Sequence, residues 1–246
     1  MKTLVLDLDE TLVRSQFKKP PHHDLKLNVN VDEKHCQVFV AIRPGTKEFL
    51  EKMAKHYEVV IFTASLSNYA NPLMDKLDPE GLCTSRLFRE HCTFNGRFFV
   101  KDMSLMGRRM EDIILVDNNP NSYVAQPENG MPIISWFDDQ KDTELYKLTP
   151  LLVGLSTVPD VRVVLAKSHQ GTQLDLNLAL MLTNEINRKN LKIPDETDSD
   201  LNDRVEMESD DFFQDQGSKP SSAEPKKRNP STKSVRQEKK SVERMM

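Results

Sequence analysis

Cysteine is scarce in this chain: Cys36, Cys83 and Cys92 are the only three in 246 residues. They are too few and too scattered for a disulfide framework or a zinc site, and an odd count fits a reducing compartment. Each reads as a small buried or half-buried thiol. No apolar run approaches the length of a membrane span. No segment repeats another. Charge of one sign is not in excess either, since the formal net charge is only −4, and that balance argues for no particular partner. A signal peptide is not expected at the front, because an apolar strand and its acids begin at once. With Met1 as the start no presequence is expected, and the setting is nucleus or cytoplasm.

What is present suits one good-sized core with a polar appendage, at 37% hydrophobic and 29% charged residues. The chain divides into an α/β domain over residues 1–168, an accessory helical segment over 169–193 and a tail over 194–246. Between Asp195 and Gln216 ten acids face one base, Arg204, whereas from Gly217 onward nine bases face three acids. A tail that is acidic and then basic is expected to be solvated and disordered. Its PKKRNP stretch (225–230) reads as a nuclear import signal, a nucleic-acid contact or a plain solubilising segment. Direct nucleic-acid binding is not expected, and a monomer is.

Within the domain, continuous apolar runs alternate with amphipathic ones. Leu4-Val5-Leu6, Val59-Val60-Ile61-Phe62, Ile113-Ile114-Leu115-Val116 and Pro132-Ile133-Ile134-Ser135 read as buried strands. Leu25, Leu27, Val29 and Val31 alternate, as do Val38, Val40 and Ile42, which predicts a strand pair. A helix is predicted from Pro44, another around Tyr69, and two more over 142–154 and 160–168. A short β-rich region is predicted over 87–100, turning at Asn95-Gly96. Leu174 to Leu182 alternate like a strand, but Ala179, Met181, Glu185 and Lys189 favour helix. Buried strands alternating with helices argue for a parallel sheet covered on both faces. Ligands then bind beyond the carboxyl ends of the strands. Polar groups stand where that rule wants them: Asp7 after the first run, Thr63 after the second, Asp117-Asn118 after the third.

Asp7 and Asp9 sit two residues apart in DLDETL, so in extended geometry both carboxylates point the same way. Like charges that close resist ionisation unless a cation lies between them. Mg²⁺ takes oxygen ligands and works with one or two carboxylates plus phosphate. Alone, a D-x-D is a common feature of solvated loops, a lysine is usually a surface residue, and Asp-Asn before proline can be only a turn. Their order and strand-end placement together argue for one site. Glu10 should alternate away from the two aspartates, toward structure or the rim.

DLDETL resembles the D-x-D-x-T-L signature of haloacid-dehalogenase-type phosphotransferases, and FTAS, VKD and LVDNNP follow in order. The stretches IRPGTKEFL, FTASLSNYANP, LFREHCTF, VKDMSLMGR and SWFDDQKDTEL are similar to the small phosphatases of the RNA polymerase II C-terminal domain and to the Dullard-type phosphatases. The likeness covers roughly residues 2–168. It implies an α/β Rossmann-like parallel sheet flanked by helices, with a small β-hairpin insertion and no large cap domain. It also implies a Mg²⁺-dependent serine/threonine phosphatase working through an aspartyl-phosphate. Asp7 would be the nucleophile and Asp9 the general acid and base. Asp7, the Asp9 carbonyl and Asn118 would hold Mg²⁺, supported by Asp117, while Thr63 and Lys101 would bind phosphate oxygens. Thr11 would shape the loop.

By the same resemblance Phe17, Val29, Val31 and Val38 would line an apolar pocket for a proline-like neighbour of phosphoserine, with Tyr69 and Arg89 beside peptide and phosphate. The valines equally suit a half-buried hairpin face, and Arg89 an ordinary surface salt bridge. His22 and His23 after Pro20-Pro21 make that loop this chain's own. The substrate that this implies is a phosphoprotein, the polymerase C-terminal domain or a similar Ser-Pro phosphoprotein. A catalytically idle binding module on the same fold is the competing class. A small-molecule phosphatase would want a large cap, and only hairpin-sized insertions are visible.

Overall fold

The computed structural model describes residues 1–31, 34–170 and 173–191; the tail expected over 194–246 lies outside the described residues. In chain order the elements are β1 (Lys2–Leu6), β2 (Val13–Gln16), β3 (Leu25–Val31), β4 (Lys34–Ile42), α1 (Thr46–Met53), β5 (Tyr57–Phe62), α2 (Ser67–Leu77) and β6 (Cys83–Leu87). Then follow β7 (Thr93–Phe94), β8 (Phe99–Val100), β9 (Ile113–Asp117), β10 (Gly130–Pro132), α3 (Glu144–Leu155), α4 (Val161–Ser168) and α5 (Leu176–Asn190).

A five-stranded sheet runs in the order β10-β9-β1-β5-β6, and each neighbouring pair is parallel. β1 is central because every residue of KTLVL is buried. Side chains alternate between the two faces. Leu4, Leu6, Val59, Ile61, Ile114 and Val116 join one apolar cluster with the helices, while Val5, Phe62, Ile113 and Leu115 join another with Met103 and Tyr123. A fully buried Leu or Ile of this kind stabilises the fold by about 1.5–3 kcal/mol. Register is fixed as Leu4 opposite Val59 and Ile114, so the ends of β1, β5 and β9 lie level with one another.

The predicted strand pair is present, with Leu27 opposite Val38 and Leu25 opposite Val40. β2 adds to it as an antiparallel third strand, in the order β2-β4-β3. This insertion is small, and no large cap domain stands among the described residues. β2 has a legible alternation only in hindsight: Val13 and Ser15 are buried, Arg14 and Gln16 are not.

Several segments depart from the sequence reading. The strand predicted at 132–135 is Gly130–Pro132; beyond it Ile134 turns outward and is 67% exposed, and an apolar run that leaves the core has no ladder to join. β6 was not predicted, because CTSRL is polar and its Thr84 and Ser85 are exposed on a sheet edge. The helix expected from Pro44 begins at Thr46, after Gly45 at φ 82°. The segment expected to be helical over 169–193 opens instead on a short antiparallel pair, His169–Gln170 with Gln173–Leu174, and is helical from Leu176: α5 buries Ala179 and Thr183, and the Asp175 carboxylate accepts from the Leu178 N–H at its start.

Candidate active site

Asp7 leaves β1 with its N–H bonded to the Val116 carbonyl of β9 at 3.0 Å. That bond continues the sheet one residue beyond the strand and points the carboxylate into the crevice at its carboxyl edge. The Asp7 carboxylate accepts from the Thr11 hydroxyl at 2.9 Å on one oxygen and from Lys101 Nζ at 2.6 Å on the other. Lys101 also donates to the Asp117 carboxylate at 2.6 Å. It comes to this place directly after β8, its own N–H bonded to the Ser122 carbonyl at 2.7 Å. Burial opposes its charge, but the two carboxylates outweigh burial and raise its pKa, so the ammonium is permanent. One fixed cation thus bridges two acids and holds the Asp7 carboxylate in place.

Asp9 has the opposite surroundings. Its two oxygens accept from the Tyr69 hydroxyl at 2.7 Å and the Ser65 hydroxyl at 2.8 Å, and no cation pairs with it among the described residues. Burial, with the nearby Glu10 and Asp7 charges, raises its pKa to about 7, against the two hydroxyls that favour the ionised form. One aspartate is therefore paired with a fixed cation and its neighbour is a proton carrier near neutrality, two environments of the kind that acid–base work requires. Between this pair and Thr11 lies Glu10, at φ 59° the one non-glycine residue in the left-handed region among the described residues. The twist sends its carboxylate away, to Arg14.

Asn118 follows Asp117 at the end of β9. Its amide N–H donates to the Ser135 hydroxyl at 2.9 Å, which turns its oxygen toward the Thr11 hydroxyl 3.4 Å away. Thr11 has one proton, already committed to Asp7, so two acceptor oxygens converge on a single donor. Such a set suits a hard cation. Among the described residues no three His, Cys, Asp or Glu side chains gather in ligand geometry; a metal here would draw on amide and carbonyl oxygens besides Asp7.

A model of the NLI interacting factor-like phosphatase family matches residues 2–162. The chain belongs to this family. The human "CTD small phosphatase-like protein" is 49% identical over 160 residues, 65% of this chain and 58% of that protein. The Dictyostelium discoideum "Probable C-terminal domain small phosphatase" is 49% identical over 171 residues, 70% of this chain and 56% of that one. The matched stretch thus spans little more than half of these relatives. In fold, the chain is similar to the solved structure titled "The Structure of Fcp1, an essential RNA polymerase II CTD phosphatase", with a TM-score of 0.54, 14% identity, and coverage of 73% of this chain and 69% of that one.

Within this family member the remaining expected residues fall in different places. Thr63 is buried at the end of β5, its hydroxyl accepting from the Ser65 N–H at 3.0 Å. Arg89 is half-buried beside that loop, donating to the Ala64 carbonyl at 2.6 Å and lying 5.0 Å from the Phe99 ring centroid. Tyr69 is wholly buried, and its hydroxyl meets Asp9 and Ser15. Val29 and Val38 are buried in the apolar cluster, and Phe17 is half-buried against it; the side chain of Val31 lies outside the described residues. A groove of 440 Å³ lies elsewhere, on the opposite face of β5 and β6, lined by Val60, Phe62, Leu87 and Met106.

Four contributors were not singled out from sequence. Ser65 stands two residues after Thr63, a hydroxyl at a strand end that was legible as a motif member but not as a partner of Asp9. Ser135 was read as the end of a strand. Arg43 is 1% exposed and ties the Thr11 carbonyl, at 3.1 Å, to the Asp142 carboxylate. Trp136 donates its backbone N–H to the Glu10 carbonyl at 2.8 Å. None has a local signal, because each partner is far away in sequence.

Proposed function

We propose that this chain is a Mg²⁺-dependent phosphoprotein phosphatase specific for serine and threonine, acting through an aspartyl-phosphate. The observation that carries the reading is the unequal pair: Asp7 bonded to the Lys101 ammonium, and Asp9 held by two hydroxyls with its pKa raised to about 7. An oxygen of Asp7 attacks phosphorus, and the bond from phosphorus to the seryl or threonyl oxygen breaks. The Asp9 proton passes to that departing oxygen. Asp9, now ionised, takes a proton from water, whose oxygen attacks phosphorus and frees Asp7. Inorganic phosphate leaves, and Asp9 is protonated again.

Mg²⁺, held by the Asp7 carboxylate, the Asp9 carbonyl and the Asn118 amide oxygen with Asp117 behind them, would offset the repulsion between carboxylate and phosphate. Lys101 and the Thr63 hydroxyl are the phosphate ligands in this reading, where fixed donors act most strongly on charge that develops in the transition state. Arg89 adds a guanidinium suited to phosphate oxygens. Phe17, at the open edge of the hairpin's apolar cluster, is the side chain that a substrate proline would meet first, ahead of Val29 and Val38.

The substrate class is inferred from a human relative named "Carboxy-terminal domain RNA polymerase II polypeptide A small phosphatase 1". That domain or a similar Ser-Pro phosphoprotein is the expected target, and the nucleus the expected setting. No helix among the described residues is long and apolar enough to cross a membrane. The test is turnover of an aryl phosphate with Mg²⁺, with chelator and with Asp7→Asn. Activity should be lost in the last two, for Asp7→Asn by about a thousandfold or more. Turnover that survives Asp7→Asn removes the nucleophile assignment, and no turnover in any condition favours the binding module.

A further inference from the structure

Two large apolar side chains stand in water on either flank of Ser135, the residue that orients Asn118: Ile134 is 67% exposed and Phe137 53%. A lone exposed phenylalanine is ordinary, but this one is fixed. The backbone before it is tied down by Trp136, 2% exposed, which bonds Glu10 through its N–H and the Asp139 carbonyl through its indole at 2.8 Å. The Arg14 guanidinium lies 5.1 Å from the Phe137 ring centroid. Two residues of chain place Phe137 within about 7 Å of Ser135, backbone to backbone. It therefore stands two positions along the chain from the residue that orients Asn118.

The charge pattern says what the ring can receive. Arg14 is not a bare cation, because Glu10 pairs with it. The pair is neutral as a unit, so it has little net attraction for phosphate, which Lys101 and Arg89 already address from the other side. What remains open is an aromatic surface stiffened by a guanidinium. Such a surface suits an apolar side chain, and a guanidinium already occupies its cation-binding role.

We propose that Phe137, held in place by Arg14, is a specificity-determining rim that packs against an apolar residue of the peptide flanking the phosphorylated serine or threonine. The rim is separate from the hairpin cluster at Phe17. The proposal rests on the phosphoprotein reading for its substrate class, yet binding tests it without turnover.

Phosphopeptides carrying either leucine or glycine at each flanking position are titrated against the full chain in the Asp7→Asn background. The same peptides and an aryl phosphate are assayed with active protein. Phe137→Ala should weaken binding of the apolar-flanked peptide about tenfold, a loss typical of a truncated aromatic anchor. Phe137→Tyr should restore it. One flanking position should show the same loss on leucine-to-glycine exchange in the wild-type rim and no further loss in Phe137→Ala. With active protein the effect should appear in the peptide KM and far less in that of the aryl phosphate. Equal weakening of leucine and glycine peptides by Phe137→Ala would overturn the rim, as would peptide binding that Phe137→Ala leaves unchanged. Absent turnover with intact rim selectivity would instead count against the phosphatase reading alone.

Discussion

Asp7 and Asp9 are the same residue type two positions apart, and their surroundings give them different chemistry. A lysine ammonium bonds the Asp7 carboxylate, whereas Asp9 has no cation beside it among the described residues and its burial favours the neutral form. Only protonated Asp9 can donate to a leaving group, so kcat/KM should fall as pH rises through its pKa. That pKa is about 7 in the metal-free protein, and a bound cation at Asp7 draws it lower. The Tyr69 hydroxyl donates to the Asp9 carboxylate and so favours ionisation. Tyr69→Phe should therefore move the alkaline fall to higher pH, by about one unit for one hydrogen bond to a charged group. The pH profile of aryl phosphate hydrolysis measures this shift, and a fall that moves downward or stays put refutes the assignment. The residue identities were legible from DLDETL; the partners of Asp9 were not, since Tyr69 is sixty residues away and a side chain's hydrogen-bond partner leaves no local pattern.

At the scale of elements, the parallel strands were legible because a strand buried on both faces has to be apolar throughout. The centres of β1, β5 and β9 meet that condition, at Leu4–Leu6, Val59–Phe62 and Ile113–Val116, and lie where the sequence predicts them. β6 escapes it because it is an edge strand with polar residues on view. Start points were less legible than interiors. Gly45 shows why: at φ 82° it makes the turn from β4 into α1, and a β-carbon there would lie 2.7 Å from the Tyr146 ring of α3. Gly45→Ala should then lose about 1–3 kcal/mol of stability from backbone strain alone, read by denaturant unfolding. A loss under a few tenths would mean that the turn relaxes and that Tyr146 swings clear.

For the molecule as a whole, one buried contact joins the catalytic loop, the hairpin insertion and the helical layer. The Arg43 guanidinium donates to both oxygens of Asp142, at 2.7 and 2.8 Å, and to the Thr11 carbonyl at 3.1 Å. Removing it in Arg43→Met leaves the Thr11 carbonyl unmatched and the part-buried Asp142 with only the Glu144 N–H, at about 1–3 kcal/mol. Burial raises the Asp142 pKa, but hydrogen bonds and charge from Arg43 outweigh it, so the net shift is downward from 3.8. A carboxyl with a depressed folded-state pKa contributes its stability in full above its ordinary value and loses it as pH falls through the folded one. Unfolding of the parent chain should thus show an acid-side loss below pH 3.8 that Arg43→Met largely lacks; identical acid profiles would show that the pair is not coupled to folding.

By itself the sequence determined the parallel α/β frame, the order of polar groups at its strand ends and the candidate pair of carboxylates, since buried strands and strand-end acids are written in consecutive residues. Tertiary structure decided the rest. It placed Lys101 between Asp7 and Asp117, gave Asp9 its two hydroxyls, closed Val29 and Val38 into the core and left Phe137 in the open. Each of these depends on which distant segments the parallel sheet brings together and on how much water they exclude, and neither quantity is local to the chain.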